Sequence, residues 1–138
     1  METFRVESVR IEATFDRAFE YIAEPANLLA WTHAFKAVRN GMATLATPAG
    51  SVEIGLKVES SRSKGTIDWH MTFPDGKAAS AYSRLVPESN GYCVFSFVLL
   101  APPVPLEQLE GTLNEQAHIL RLELTNLKAI LNGRTPSI

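Results

Sequence analysis

The sequence predicts an α+β domain in which one antiparallel sheet of about seven strands carries its helices on a single face. Three observations carry this expectation. An alternating segment opens the chain and passes directly into two short helical periods. A block from residue 34 to 101 is dominated by strand and turn signals. From residue 106 onward the period becomes 3.6, with one apolar stripe held for about seven turns.

Residues 3–11, TFRVESVRI, alternate as a half-buried strand does, with Phe4 and Val6 and, after an irregularity, Val9 and Ile11 turned inward. The period then changes. Phe15, Ala18, Phe19 and Ile22 recur at helical spacing, Thr14 is placed to cap the N-terminus, Asp16 sits in the first turn, and Pro25 ends the helix. Because proline also suits a first helical turn, EPANLLAW begins a second short helix with Leu28, Leu29 and Trp31 inward.

In the strand block, Asn40-Gly41 is a two-residue hairpin signal joining AFKAVRN to MATLATP. Pro48 to Gly50 turn the chain into SVEIGLKVES, whose Val52, Ile54, Leu56 and Val58 share a face. GTIDWHMTF and AASAYSRLV flank PDGK, where proline presets φ and glycine accepts a positive φ. SNG leads into YCVFSFVLL, apolar on both faces and therefore central or covered. After APPVP, Leu106, Leu109, Leu113, Ala117, Leu120, Leu124, Leu127 and Leu131 lie three or four apart. They describe a helix of about 40 Å, stopped by Asn132-Gly133. Residues 1–133 form one domain in this reading, and 134–138 a flexible tail.

A chain of 138 residues, 46% apolar and 20% charged, can bury one sizeable core. Thirteen basic against fifteen acidic side chains, without a basic cluster, leave no footprint for nucleic acid. The longest apolar stretch, VFSFVLLAPPVP, is too short and too broken by proline for a membrane span, and the N-terminus lacks a signal-peptide block. No membrane association and a cytoplasmic location are expected. The single Cys93 lies inside an apolar strand and reads as a core residue of a reducing compartment. His33, His70 and His118 lack the spacing of a local metal pair, and no CxxC is present, so no metal is expected. Phosphate-binding glycine loops and a G-x-S-x-G elbow are also missing, and no cofactor is expected. The sequence leaves a homodimer open.

This order of elements resembles the helix-grip fold of the START/Bet v 1-like superfamily, also called SRPBCC or polyketide cyclase/dehydrase-like proteins. The resemblance runs from about residue 4 to 132, and FEYIAEPANLLAW is similar to that family's helix–proline–helix–tryptophan opening. EPANLLAWTHAF, TPAGSVEI, GTIDWH, SRLVPESNG and LTNLKAIL are similar, in that order, to a subgroup of small bacterial members of unassigned role. The resemblance implies a cavity between a curved sheet and the last helix. Carriers of lipids and sterols, hormone receptors, cyclases and norcoclaurine synthase-type enzymes share the fold, so it implies a pocket and not a reaction.

In the fold this resembles, Trp31 and His33 lie at a joint that closes one end of the cavity. Trp31 reads as an anchor of that joint and His33 as a polar group at the cavity mouth. Along GTIDWHMTF, Asp68, His70 and Thr72 share one face and Ile67, Trp69 and Met71 the other. Along AASAYSRLV the faces are Ser80, Tyr82, Arg84 and Ala79, Ala81, Ser83, Leu85. Two arrangements stay open: a surface ladder, or a polar wall with Asp68 near Arg84 and His70 near Tyr82. A two-residue Asp75-Gly76 turn would instead pair Asp68 with Ser83. With Phe97, which faces the leucine stripe, the ligand-binding candidates are Trp31, His33, Asp68, Trp69, His70, Tyr82 and Arg84. Two functions fit them. One is the binding of a small hydrophobic or aromatic molecule. The other is a cyclase, dehydratase or aldol-type enzyme with His33 or His70 as general acid or base and Tyr82 or Arg84 polarising an oxyanion.

Overall fold

A computed structural model describes residues 3–47, 50–101 and 106–132, with side chains described except at 47 and 106–111. The expected turn at Pro48 and Ala49, the Pro102–Pro105 break, the stop at Gly133 and the tail 134–138 lie outside the described residues. Seven strands form one antiparallel sheet: β1 (Phe4–Ile11), β2 (Phe35–Arg39), β3 (Met42–Thr47), β4 (Gly50–Ser61), β5 (Thr66–Thr72), β6 (Ala78–Pro87) and β7 (Cys93–Leu100). Their spatial order is β1-β7-β6-β5-β4-β3-β2, which leaves β1 and β2 at the edges. The helices are α1 (Phe15–Ala23), α2 (Leu28–Trp31) and α3 (Leu106–Leu131). This is the helix-grip α+β arrangement: a curved sheet with a long C-terminal helix against its inner face.

The expected local signals act as stated. Thr14 accepts a hydrogen bond from the Arg17 amide and caps α1, and Ala18, Phe19 and Ile22 are buried. Pro25–Asn27 form a single 3-10 turn, continued by the one α-turn of α2. There Leu28 and Trp31, three residues apart, go inward together, while Leu29 is 45% exposed, contrary to the expected inward placement. A helix rotates about 100° per residue, so one turn against the core cannot bury both Leu28 and its neighbour.

β1 also departs from expectation. It pairs with β7 without interruption, and its inner face is Arg5, Glu7, Val9 and Ile11, whereas Phe4 and Val6 are about half exposed on the outer face. The assumed irregularity does not exist, so strict two-residue alternation sends Phe4 and Val6 out once Ile11 is in.

The core lies between the inner face and α3. Ile11, Ile67, Leu85, Cys93 and Phe95 meet Leu120, Leu124, Leu127 and Leu131, with α1 and α2 closing this end. Burial raises the Cys93 thiol above its usual range, and its Sγ–H points to the Ala13 carbonyl at 3.4 Å, as suits a packed and unreactive residue. No helix among the described residues is long and apolar enough to cross a membrane.

One glycine holds the β4–β5 turn against β6. Gly65 has φ +75° and accepts the Leu85 amide at 2.7 Å, and a Cβ there would sit 2.3 Å from the Leu85 carbonyl oxygen. Gly65→Ala therefore combines a left-handed backbone with a clash against main chain. We expect a loss of at least about 2 kcal/mol in urea unfolding; a loss below about 0.5 kcal/mol would contradict this account.

Candidate functional site

Trp31 and Trp69 meet edge to face in the core, with ring centroids 6.4 Å apart and planes at 62°. Trp69 stacks on Phe97 at 5.6 Å, and Phe97 meets Phe95 edge-on at 6.3 Å. Trp31 is 2% exposed and Trp69 3%, and neither indole Nε1–H has a hydrogen-bond partner. Three of the expected residues, Trp31, Trp69 and Phe97, are thus brought together on the inner face.

The other expected residues of β5 and β6 are placed elsewhere. Lys77 accepts the Phe73 amide, which leaves a three-residue loop, Pro74 to Gly76, and sets the register Asp68↔Tyr82 and His70↔Ser80. This differs by two residues from the Asp68–Arg84 pairing and by one from the Asp68–Ser83 pairing considered above. A shift of two preserves faces, so Asp68, His70, Tyr82 and Arg84 do share a side. Because Ile67 and Trp69 are buried on the inner face, that side is the outer one, and the polar wall is a surface ladder. His70 bonds to Ser80 Oγ (2.8 Å) and Glu59 Oε1 (2.9 Å). The His70 contact, helped by Lys57, holds the Glu59 carboxyl below its usual range. Arg84 donates to the Lys64 carbonyl at 3.2 Å.

A cavity of about 970 Å³ opens toward the β5–β6 loop, and Trp31, Trp69 and Phe97 are not among its described lining residues. Met71 and Phe73 of the β5 end, Leu45, Val52 and Leu99 supply apolar wall, and Gln116 of α3 supplies an amide. The space exists because β6 presents Ala79 and Ala81 here, where farther along it presents Ser83 and Leu85. Beside these alanines the β6–β7 register ends at Tyr82↔Val98, although β6 stays paired with β5 to Ala78 and β7 with β1 to Leu100. Residues of both sheet faces, including Ser80, Tyr82 and Leu100, consequently border the cavity along this seam. Asp75 and Lys77 of the β5–β6 loop also line it.

His33 is half exposed at the joint after α2, with its side chain 59% accessible. Its partner is a residue that sequence reasoning missed. Glu123 on α3, only 15% accessible, accepts the His33 amide at 2.6 Å and lies 3.9 Å from Nδ1. Burial raises the Glu123 carboxyl above its usual range, and the His33 contacts oppose this. A signal existed, since Glu123 and Gln116 are two turns apart and flank the leucine stripe, but acidic and amide residues there read as solvated helix surface. Among the described residues no group of three or more His, Cys, Asp or Glu side chains could hold a metal ion.

No protein-family model matches the chain, and no curated protein matches it in sequence. Solved structures do match. A START superfamily protein from Mycobacterium smegmatis aligns with a TM-score of 0.64 at 11% identity, covering 94% of this chain and 99% of that one. The Aha1 dimer from Colwellia psychrerythraea gives 0.64 at 13% identity, with 98% and 100% covered. The di-domain ARO/CYC protein BexL of the BE-7585A biosynthetic pathway gives 0.63 at 16% identity, with 94% of this chain and 46% of that one covered. At such identities the likeness is one of fold, and it is the START-like, polyketide cyclase-like fold.

Glu123 makes stability depend on pH in a definite direction. Its carboxyl has a higher pKa in the folded chain than its ordinary 4.5, so the folded state holds the proton longer. Stability contributed by the protonated form is present below 4.5 and lost as pH rises through the folded value. Glu123→Gln keeps an acceptor for the His33 amide without the charge. Relative to wild type, the variant should gain thermal stability as pH rises from 4 to 8; a difference curve flat in pH would show that Glu123 does not titrate this way.

Proposed function

We propose that the protein binds a small, largely apolar molecule in the cavity between the inner face of the sheet and α3. The observation that carries this reading is the apolar space of about 970 Å³ beside Ala79 and Ala81. It falls at the upper end of the range typical of ligand pockets, roughly 300–1,000 Å³. The solved structures of similar fold support the reading in kind: one is named as a START superfamily protein and another as an ARO/CYC protein.

Binding without covalent chemistry is favoured over a cyclase, dehydratase or aldol reaction. A general base must come within about 3 Å of the proton it takes. Neither His70, on the outer face, nor His33 with Glu123 is among the residues around the cavity. Among the described residues the lining holds Asp75, Lys77, Ser80, Tyr82 and Gln116 as its polar side chains and no histidine, and the Gln116 amide can orient a ligand without exchanging protons near neutral pH.

Filling the space tests the reading. N-phenyl-1-naphthylamine, a neutral fluorescent apolar probe, should bind wild type, and Ala81→Phe should weaken it at least about tenfold while His70→Ala leaves it unchanged. Native mass spectrometry of wild type after exposure to cell extract should show a retained small molecule that Ala81→Phe lacks. If the probe binds both proteins alike, or binds neither, the cavity is not a binding site.

A further inference from the structure

On the outer face, side chains from three adjacent strands stand in one chain of hydrogen bonds. Ser80 Oγ on β6 lies 2.8 Å from His70 Nδ1 on β5, and His70 Nε2 lies 2.9 Å from Glu59 Oε1 on β4. The second carboxylate oxygen, Oε2, is 3.5 Å from Lys57 Nζ. His70 and Lys57 hold the Glu59 carboxyl below its usual range, so it is ionised at neutral pH. Valence then fixes the protons. A carboxylate only accepts, so Nε2 carries the hydrogen of the neutral ring, and Nδ1 is left to accept from the Ser80 hydroxyl.

The ladder accounts for the closeness of the contact. The Phe73 amide donates to the Lys77 carbonyl and the Leu85 amide to the Gly65 carbonyl, so the odd-numbered residues of β6 bond to β5. Ser80 therefore faces His70 as a non-hydrogen-bonded pair, the kind in which side chains approach most closely. Its own main-chain N–H and C=O turn toward β7. There the register has already ended, at Tyr82↔Val98, so among the described residues the Ser80 N–H has no ladder partner, and Ser80 borders the open space along the seam.

We propose that Ser80, His70 and Glu59 form an acyl-transfer site that hydrolyses carboxylic esters, distinct from ligand binding in the cavity. The parts are a nucleophile, a general base bonded to it, a group that orients the base, and an uncommitted amide donor beside the nucleophile. Such a set is recognised by geometry and roles, not by chain position. Ser80 Oγ bonds to the ester carbonyl carbon while its proton passes to His70 Nδ1, and the Ser80 N–H donates to the oxyanion. Collapse breaks the bond to the alcohol oxygen, which takes the proton from Nδ1 and leaves. Water then attacks acyl-Ser80 by the same two steps, giving the acid and restoring the hydroxyl. Ser80 and His70 are the catalytic residues. Glu59 is a positioning residue, because it holds the tautomer that leaves Nδ1 free to accept.

Diisopropyl fluorophosphate, which phosphorylates an activated serine with loss of fluoride, should label wild type at Ser80, as read by peptide mass spectrometry. His70→Ala should slow labelling at least about a hundredfold, with added imidazole restoring part of the rate. Glu59→Gln should slow it too, and Glu59→Asp should recover part. Neither recovery is expected of residues that only tie strands together. Ser80→Ala should lose the label and reduce hydrolysis of p-nitrophenyl acetate to the rate in buffer. Wild type that takes no label at Ser80, or takes it on Tyr82 or Lys57 instead, overturns the proposal whatever the variants do. A His70→Ala protein labelled at the wild-type rate, or a Ser80→Ala protein that still hydrolyses the ester as wild type does, overturns it as well.

Discussion

The contact between one stripe of α3 and the inner face of the sheet is the condition on which the other features depend. An open sheet whose inner face carries Ile67, Trp69, Leu85, Phe95 and Phe97 needs a cover, and α3 is the element long enough to cross it. At 1.5 Å per residue its 26 residues span about 39 Å. Each large aliphatic side chain taken from water contributes about 1.5–3 kcal/mol. Leu120, Leu124, Leu127 and Leu131 together therefore supply an amount comparable to the whole net stability of a domain, about 5–15 kcal/mol.

Polar contacts along the flanks set the rotation of that helix about its axis. Arg121 reaches Glu7 at 3.0 Å and Lys128 the Arg10 carbonyl at 2.8 Å on the β1 side, while Glu123 holds the His33 amide and Asn126 the Ala30 carbonyl on the α2 side. Individually such exposed pairs contribute little. Placed on both flanks, they oppose rolling in either direction. A helix free to roll would carry Gln116 out of the cavity and the leucines off the core.

The sequence made the layers legible because their signals are local. A leucine every three or four residues, Asn-Gly between two alternating segments, and a threonine before an apolar period each state their structure within a few residues. Facing was harder. Phe4 and Val6 pointed to an inward β1 by hydrophobicity, yet the strand turns them out, because its partner β7 fixes the side by burying Cys93, Phe95 and Phe97. Parity grouped the residues within β5 and within β6, but which β6 group shares a side with Asp68 and His70 depended on whether Pro74 belongs to the loop, which a PDG turn leaves undetermined. Glu123 was illegible for a different reason: its burial comes from the joint after α2, some 90 residues away in sequence. The cavity was illegible as well, since it is produced by the smallness of Ala79 and Ala81 and not by any residue with a chemical signature.

The seam at Tyr82–Val98 divides labour within the sheet. On one side of it the strands are fully laddered, packed by α1, α2 and the leucines, and intolerant of change. Beyond it, Ala79, Ala81, Leu99 and Gln116 border open space, so enlarging or recolouring one of them disturbs few neighbours. Substitutions there escape the stability threshold that disciplines the core. A lineage built on this scaffold can therefore explore new ligands through point changes at the open end while the closed end keeps the chain folded, which makes the interrupted ladder a source of evolvability.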